Sequence, residues 1–157
     1  MKPSNVEIER KFLIADDSWR GQTEGVEYRQ GYLAASETVT VRVRVGGGTA
    51  VMTVKGQSDA SGLTRAEYEF PLPVDEANEM IDRLCQGRIV EKTRYRIRHD
   101  GFVWEVDEFH GAHDGLVLAE IELESEDQAF EKPAWVGEEV TGNYRYYNAW
   151  LAENKRT

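Results

Sequence analysis

The chain has one cysteine and no long apolar run. These two features argue against a disulfide-bonded secreted protein and against a membrane-spanning protein. Its single cysteine, Cys85, cannot form a disulfide within the chain, and the first residues lack the apolar run of a signal peptide. No apolar stretch is long enough to span a bilayer. We therefore expect a cytoplasmic protein that does not enter a membrane.

Basic residues are outnumbered: 19 Lys and Arg stand against 29 Asp and Glu, which gives a formal net charge of −10. Nucleic acids and anionic membranes select basic surfaces, so neither is an expected partner. Histidine is also scarce, and the three histidines lie in no zinc-ligand spacing with Cys85. Carboxylates dominate instead, and they are the ligands that magnesium and manganese prefer.

The 157 residues fit one domain, spanning 1–157, and most of it alternates in the manner of β-strands. Eight strands are predicted, at about 5–14, 26–34, 38–46, 49–57, 64–72, 89–99, 102–109 and 117–124. Gly46-Gly47-Gly48 and Asp100-Gly101 predict hairpin turns, because such residues accept the positive φ that tight turns require. Close sequential turns indicate antiparallel pairing.

Two helices are predicted around these strands. Apolar residues from Ala77 to Cys85 recur at helical spacing, and Gly87 stands where that helix would end. A second helix is expected from about Tyr144 to Asn154, with Asn143 as its N-cap. The segment 132–139 gives no clear pattern.

One face of nearly every predicted strand is charged, and the charges are sorted by sign. The acidic pairs are Glu7/Glu9, Glu67/Glu69, Glu105/Asp107 and Glu120/Glu122, and the basic residues are Arg42/Arg44, Lys55 and Lys92/Arg94/Arg96. A polar sheet face turned to water is the simplest explanation, and alternation alone does not exclude it. Sorting by sign favours a closed barrel whose ionic faces point inward. Such buried charges need compensation, which a polyphosphate with divalent cations would supply.

The predicted fold is therefore α+β, a closed eight-stranded antiparallel β-barrel or tunnel with a charged interior and flanking helices. Nine different short motifs occur one after another between Glu7 and about Leu151. They are EIERKFL at 7–13, QGYL at 30–33, VRVR at 41–44, TVKG at 53–56, EYE at 67–69, KTRY at 92–95, WEVD at 104–107, AEIE at 119–122 and VTGNYRY at 140–146. In this combination the sequence resembles the CYTH family, also called the triphosphate tunnel metalloenzymes.

The resemblance implies a tunnel that binds a triphosphate and hydrolyses it with Mg²⁺ or Mn²⁺. It also implies a role for each ionic position. The expected metal ligands are Glu7, Glu9, Glu120, Glu122 and Asp107. The expected catalytic and substrate-binding cations are Lys11, Arg42, Arg44, Lys55, Lys92 and Arg94, with Arg145 as a further substrate-binding residue. Two roles stay open for Asp107, as a ligand or as a support behind the ligands.

Inorganic tripolyphosphate is the expected substrate, because the short chain leaves little material for a specificity domain. Three alternatives stay open: an adenylyl cyclase of class IV type, a thiamine or nucleoside triphosphatase, and a module that binds polyphosphate without cutting it. The number of catalytic metals and the general base are not assigned. Exposed barrel edges or apolar helix faces could support a homodimer.

Overall fold

The computed structural model describes residues 2–154 of the chain. The strands are β1 (Val6–Ile14), β2 (Val26–Ala35), β3 (Val39–Gly46), β4 (Thr49–Gly56), β5 (Thr64–Leu72), β6 (Ile89–His99), β7 (Phe102–Phe109), β8 (Val117–Glu122) and β9 (Val136–Glu139). The α-helices are α1 (Val74–Leu84) and α2 (Asn148–Glu153), and short 3-10 helices cover Gly111–His113 and Tyr144–Tyr146. Across residues 2–154, no helix has the length and apolar character needed to cross a membrane.

Eight of the strands close into a ring. Hydrogen bonds link them in the order β5-β4-β3-β2-β6-β7-β8-β1, and β1 returns to β5, with every pairing antiparallel. The closing seam is short, since only residues 6–8 of β1 pair with residues 64–66 of β5. Farther along β1, Phe12 and Ile14 pair with β9 instead. The predicted closed eight-stranded antiparallel barrel is confirmed.

The hairpin turns are also confirmed. Gly47 and Gly48 have φ angles of 60° and 80°, and Asp100 and Gly101 have φ angles of 50° and 80°. Two consecutive residues with positive φ match the twist of right-handed antiparallel strands, so both turns bring their strands together without splaying them.

The apolar faces of the barrel strands point outward and are largely covered, with Tyr68 and Phe70 of β5 among the side chains left exposed. Phe130 and Trp135, from connecting segments, pack against Trp104 of the barrel, and Trp19 packs against Tyr95 in the same cluster. Helix α1 covers β2, β3 and β4. Helix α2 contributes Leu151 to a third cluster over β6, β7 and β8. Because strand side chains alternate, covering the apolar faces outside leaves the ionic faces inside the ring.

The C-terminal segment differs from the single helix expected over 144–154. A 3-10 turn over Tyr144–Tyr146 comes first, and its Asn143 cap accepts a hydrogen bond from the Arg145 backbone nitrogen at 3.2 Å. Tyr147 is then extended, with φ −74° and ψ 137°, and only after it does α2 begin. The break lets the Tyr147 ring lie over the Lys11 ammonium, 5.5 Å from its nitrogen. Strand β9 likewise lies within the segment 132–139, for which no pattern predicted a structure.

Candidate active site

A cavity of about 200 Å³ lies inside the barrel, and its lining is almost wholly polar. Most of the predicted site residues line it, because they occupy the inward parity of their strands. These residues are Glu7, Glu9, Lys11, Arg42, Arg44, Lys55, Lys92, Arg94, Glu120 and Glu122. The lining as a whole includes residues of all eight barrel strands, β1 to β8, so the ring surrounds one space.

Carboxylates gather on the β1 and β8 side of this cavity. Glu9 of β1 lies directly opposite Glu122 of β8, and Lys11 lies opposite Glu120. Burial and the nearby carboxylates of Glu120 and Glu7 raise the pKa of Glu9 well above its ordinary value. Within residues 2–154, Glu9 forms no ion pair with Lys or Arg. Like charges placed opposite each other destabilise a sheet, so this cluster favours binding of a cation.

The donor set fits a hard divalent cation. Four glutamates, Glu7, Glu9, Glu120 and Glu122, offer carboxylate oxygens of the kind that Mg²⁺ and Mn²⁺ bind. Among residues 2–154, no three His, Cys, Asp or Glu side chains lie close enough together to hold a metal ion as they stand. Lysines engage the carboxylates instead: Lys55 lies 2.9 Å from Glu7.

A network of ion pairs connects Glu7 with β4 and β5. The Lys55 nitrogen also lies 3.4 Å from Glu67, and Arg65 Nε lies 3.3 Å from Glu7. Burial alone would raise the pKa of Glu7, but Lys55 and Arg65 together hold it far below its ordinary value. Burial and the adjacent Glu7 carboxylate raise the pKa of Glu67 from 4.5 to about 7. The two neighbouring carboxyl groups therefore titrate in different pH ranges, Glu7 well below Glu67.

Glu120, on the neighbouring strand β8, also forms an ion pair with a lysine. Its carboxylate lies 3.4 Å from the Lys11 nitrogen, and both side chains are buried. Burial opposes ionisation of Glu120, but the positive charge of Lys11 outweighs it and lowers the pKa to about 2. Glu122 is more exposed and binds the Lys2 ammonium at 2.7 Å.

The opposite wall of the cavity carries arginines that have no carboxylate partner. Arg42 donates to the Thr53 hydroxyl at 3.2 Å, while its Nε is buried without a hydrogen-bond partner. Arg44 stacks 4.8 Å above the Tyr28 ring. Among residues 2–154 neither guanidinium forms an ion pair. Burial, and to a smaller extent repulsion by Arg42 and Arg94, lowers the pKa of Arg44. Such a pair is suited to binding a multiply charged anion.

Behind this wall lies a fully buried ion cluster on β6 and β7. Asp107 accepts from Arg94 Nε at 2.7 Å and from the Lys92 nitrogen at 2.8 Å, and 1% of its surface is exposed. Burial alone would raise the pKa of Asp107, but Arg94 and Lys92 hold it far below its ordinary value. Burial lowers the pKa of Lys92 to about 7.

Asp107 does not line the cavity, and both of its oxygens are engaged. Of the two roles left open for it, this placement suits the support that orients Lys92 and Arg94. Arg145 also lies outside the cavity lining, exposed on the 3-10 turn beside Tyr144. The substrate-binding role expected for Arg145 came from the family resemblance, and the residues of this segment that line the cavity are Tyr147, Asn148 and Ala149 instead.

Several lining residues were not singled out from the sequence. They are Thr40, Thr53, Arg65, Tyr147 and Asn148. Arg65 shares the parity of Glu67 and Glu69 in β5, so the alternation that identified those two glutamates could have identified it. Tyr147 and Asn148 gave no such signal, because their orientation depends on where α2 begins.

Comparisons with known proteins agree with this geometry. A family model described as the CYTH domain matches residues 5–149. The inorganic triphosphatase of Acetivibrio thermocellus is 49% identical over 148 residues, 94% of each protein. That of Nitrosomonas europaea is 44% identical over 150 residues, 93% of this chain and 96% of the relative. The solved inorganic triphosphatase NE1496 is 41% identical with a TM-score of 0.69, covering 96% of this chain and 97% of that one. The chain belongs to the CYTH domain family.

Proposed function

We propose that this protein hydrolyses inorganic tripolyphosphate to pyrophosphate and phosphate with the help of a divalent cation. One observation carries the proposal: a single cavity joins Arg42 and Arg44, which form no ion pair within the described part of the chain, to a cluster of carboxylates. A polyphosphate complexed with a cation satisfies both sets of charges at once. The relatives named inorganic triphosphatase, 44% and 49% identical over nearly the whole chain, support the same reaction.

The cationic wall would bind the phosphate chain. Arg42 and Arg44 offer guanidinium groups that pair with phosphoryl oxygens in bidentate geometry. Arg94 and Lys92 are held rigidly by Asp107, so they lose little freedom when an anion arrives. Lys11 and Lys55, which form ion pairs with Glu120 and Glu7, complete the set.

The carboxylate side would hold the cation. Glu7, Glu9, Glu120 and Glu122 are the proposed ligands, and Mg²⁺ or Mn²⁺ are the proposed ions, since CYTH triphosphatases depend on divalent metals. Bound there, such a cation neutralises phosphoryl oxygens and lowers the pKa of a water molecule. When Glu7 and Glu120 take part, the lysines that now pair with them become free to contact the substrate.

The reaction would be an in-line attack of water on a terminal phosphoryl group, with pyrophosphate as the leaving group. Charge spreads over the phosphoryl oxygens in the transition state, and the fixed cations Arg42, Arg44 and Arg94 stabilise it there. Positioning and electrostatics supply most of the acceleration, because phosphoryl transfer asks little covalent chemistry of the protein.

We also place this activity in a single cytoplasmic domain that acts on a small molecule. The net charge of −10 disfavours binding to nucleic acid, and the lone Cys85 is buried and unpaired. These inferences rest on the amino-acid composition. The homodimer stays a prediction.

The test is phosphate release from tripolyphosphate with Mg²⁺ or Mn²⁺, compared with release in the presence of a chelator. Glu9→Gln removes the carboxylate without a partner and should abolish release while the protein stays folded. Glu24→Gln makes the same exchange at an exposed site and should leave the rate unchanged. Full turnover by Glu9→Gln, or turnover in chelator, contradicts the proposal.

The same incubation separates the alternatives. With ATP as substrate, formation of cyclic AMP would favour a cyclase. Binding of tripolyphosphate with no release of phosphate under any metal would favour a module that only holds polyphosphate. Faster release from thiamine triphosphate or ATP than from tripolyphosphate would change the substrate but keep the reaction.

A further inference from the structure

Asn148, the first residue of α2, lines the cavity and joins three elements of the structure. Its Oδ1 accepts a hydrogen bond from the Lys92 ammonium of β6 at 3.0 Å. The same oxygen accepts from Gln30 Nε2 of β2, also at 3.0 Å. Gln30 and Lys92 are fully buried, at 0% and 1% exposure, so both donors are fixed in place.

These contacts determine which way the Asn148 amide points. Because Lys92 is the donor in this contact, the amide oxygen of Asn148, and not its nitrogen, faces Lys92. Gln30, which shares that oxygen, must then present its own NH₂ group. The Asn148 NH₂ group is therefore directed away from both partners. It has no acceptor among residues 2–154.

The position of this NH₂ group matters because the surrounding wall is built for anions. Lys92, Arg94 and Arg44 line the same cavity, and Asn148 is only partly buried there. A phosphoryl oxygen bound between these cations is an acceptor for a further N–H donor. A hydrogen bond to a charged oxygen is stronger than one between neutral groups, so a neutral amide can contribute substantially to binding.

We propose that Asn148 is a substrate-binding residue whose NH₂ group donates to a phosphoryl oxygen of the triphosphate, while its Oδ1 holds Lys92 in position for the same substrate. The proposal rests on the proposed function, since it deepens the account of that site. It also makes the docking of α2 a requirement for binding, because the amide is delivered by this helix and fixed by β2 and β6.

The two roles are separated by a double-mutant cycle between Asn148→Ala and Lys92→Met. The measured quantity is the dissociation constant for tripolyphosphate, obtained by calorimetry in chelator so that no turnover occurs. We expect Asn148→Ala to weaken binding by about tenfold or more. In the Lys92→Met background, which has no ammonium to orient, Asn148→Ala should still weaken binding by at least about threefold.

Asn148→Asp provides a variant that keeps the structural contacts. Its carboxylate still accepts from Lys92 and Gln30, so the protein should unfold at a temperature no lower than the wild type. Because the NH₂ donor is replaced by a negative oxygen, tripolyphosphate binding should be lost even so. Asn78→Ala, which removes an amide that contacts Arg29 outside the cavity, is the matched control and should bind normally.

An Asn148→Ala dissociation constant within about twofold of the wild type overturns the proposal. Equal binding by Lys92→Met and the double variant also overturns it, because Asn148 would then act through Lys92 alone. Phosphate release by the wild type is measured in parallel. A wild type that binds in chelator but releases no phosphate under either metal contradicts the proposed function and leaves the cycle valid. A wild type that releases phosphate with metal but does not bind tripolyphosphate in chelator overturns the Asn148 proposal and leaves the proposed function standing.

Discussion

At the scale of single residues, the cavity divides its charges into paired and unpaired ones. Glu7 and Lys55 neutralise each other at 2.9 Å, and Arg94 is engaged by Asp107 and Glu105. Arg42 and Arg44 have no such partner among the described residues. Removing an ion from water costs several kcal/mol unless something compensates it. The unpaired arginines are thus the residues whose binding energy is most available to a substrate.

Arg42→Ala should therefore raise the KM for tripolyphosphate strongly. Loss of a hydrogen-bonded charge contact costs about 1.5–3 kcal/mol, which corresponds to roughly a 10- to 100-fold change in affinity. Steady-state phosphate release over a range of tripolyphosphate concentrations measures it. Arg83→Ala removes an exposed arginine on α1, with 77% of its side chain accessible, and should leave KM unchanged. Equal KM values for the two variants would remove Arg42 from the site.

Glu67 predicts a pH dependence of stability for the metal-free protein. Its pKa is raised to about 7 in the folded state by burial and by Glu7, from an ordinary value of 4.5. Between these values the folded chain binds more protons than the unfolded chain, so the free energy of unfolding falls as pH rises from about 5 to about 7. The raised pKa of Glu9 acts in the same direction.

Glu67→Gln should flatten that decline, because the substituted side chain no longer titrates. Urea unfolding in chelator at several pH values between about 5 and 7 measures the slope. Glu24→Gln, at an exposed site, should keep the wild-type slope. If the Glu67 variant loses stability with pH as steeply as the wild type, the raised pKa is not the cause.

At the scale of elements, alternation was enough to locate the strands and their inward faces. Residues of one parity share a face whatever the neighbours are, so Glu9, Arg42 and Lys55 could be predicted to meet inside a closed barrel. How deeply each inward-facing side chain is buried could not be predicted from parity. Asp107 and Glu105 share a parity, yet only Asp107 is buried, with its oxygens bonded by Lys92 and Arg94.

Short elements without periodicity were beyond the reach of the sequence. Strand β9 has four residues, too few to establish a pattern, and it forms because β1 offers an unpaired edge beyond its short seam with β5. The start of α2 was misplaced for a related reason. Tyr147 leaves the helical conformation to contact Lys11 and Arg65, and those contacts are absent from any local pattern.

Helix α1 should stabilise the barrel through its buried face alone. Ile81 is 0% exposed against β2, β3 and β4, whereas Leu84, on the same helix, is 53% exposed. Ile81→Ala should lower the free energy of unfolding by about 2–5 kcal/mol, because it removes buried methyl groups and leaves a cavity. Leu84→Ala should change it by less than about 1 kcal/mol. Similar losses for both variants in denaturant unfolding would contradict the packing.

At the scale of the whole molecule, an acidic protein encloses a cationic chamber. The net charge is −10, yet Arg42 and Arg44, which form no ion pair among residues 2–154, line the cavity inside the barrel. Exposed charges are screened over about 8 Å at physiological salt, while enclosed charges are screened less. The interior therefore attracts polyphosphate at short range in spite of the acidic surface. Closure of the ring at β1 and β5 maintains this separation.

Filling the chamber should consequently stabilise the entire fold. At a concentration of tripolyphosphate 100 times its dissociation constant, the folded state gains about 2.7 kcal/mol. For a chain of this size each kcal/mol raises the melting temperature by roughly 2–4 °C, so a rise of roughly 5–11 °C is expected in chelator. Sulfate at matched ionic strength, which cannot span both arginines and lysines, should give a much smaller rise. Equal shifts with the two anions would mean that tripolyphosphate acts as a general salt, and the unpaired arginines would then need another explanation.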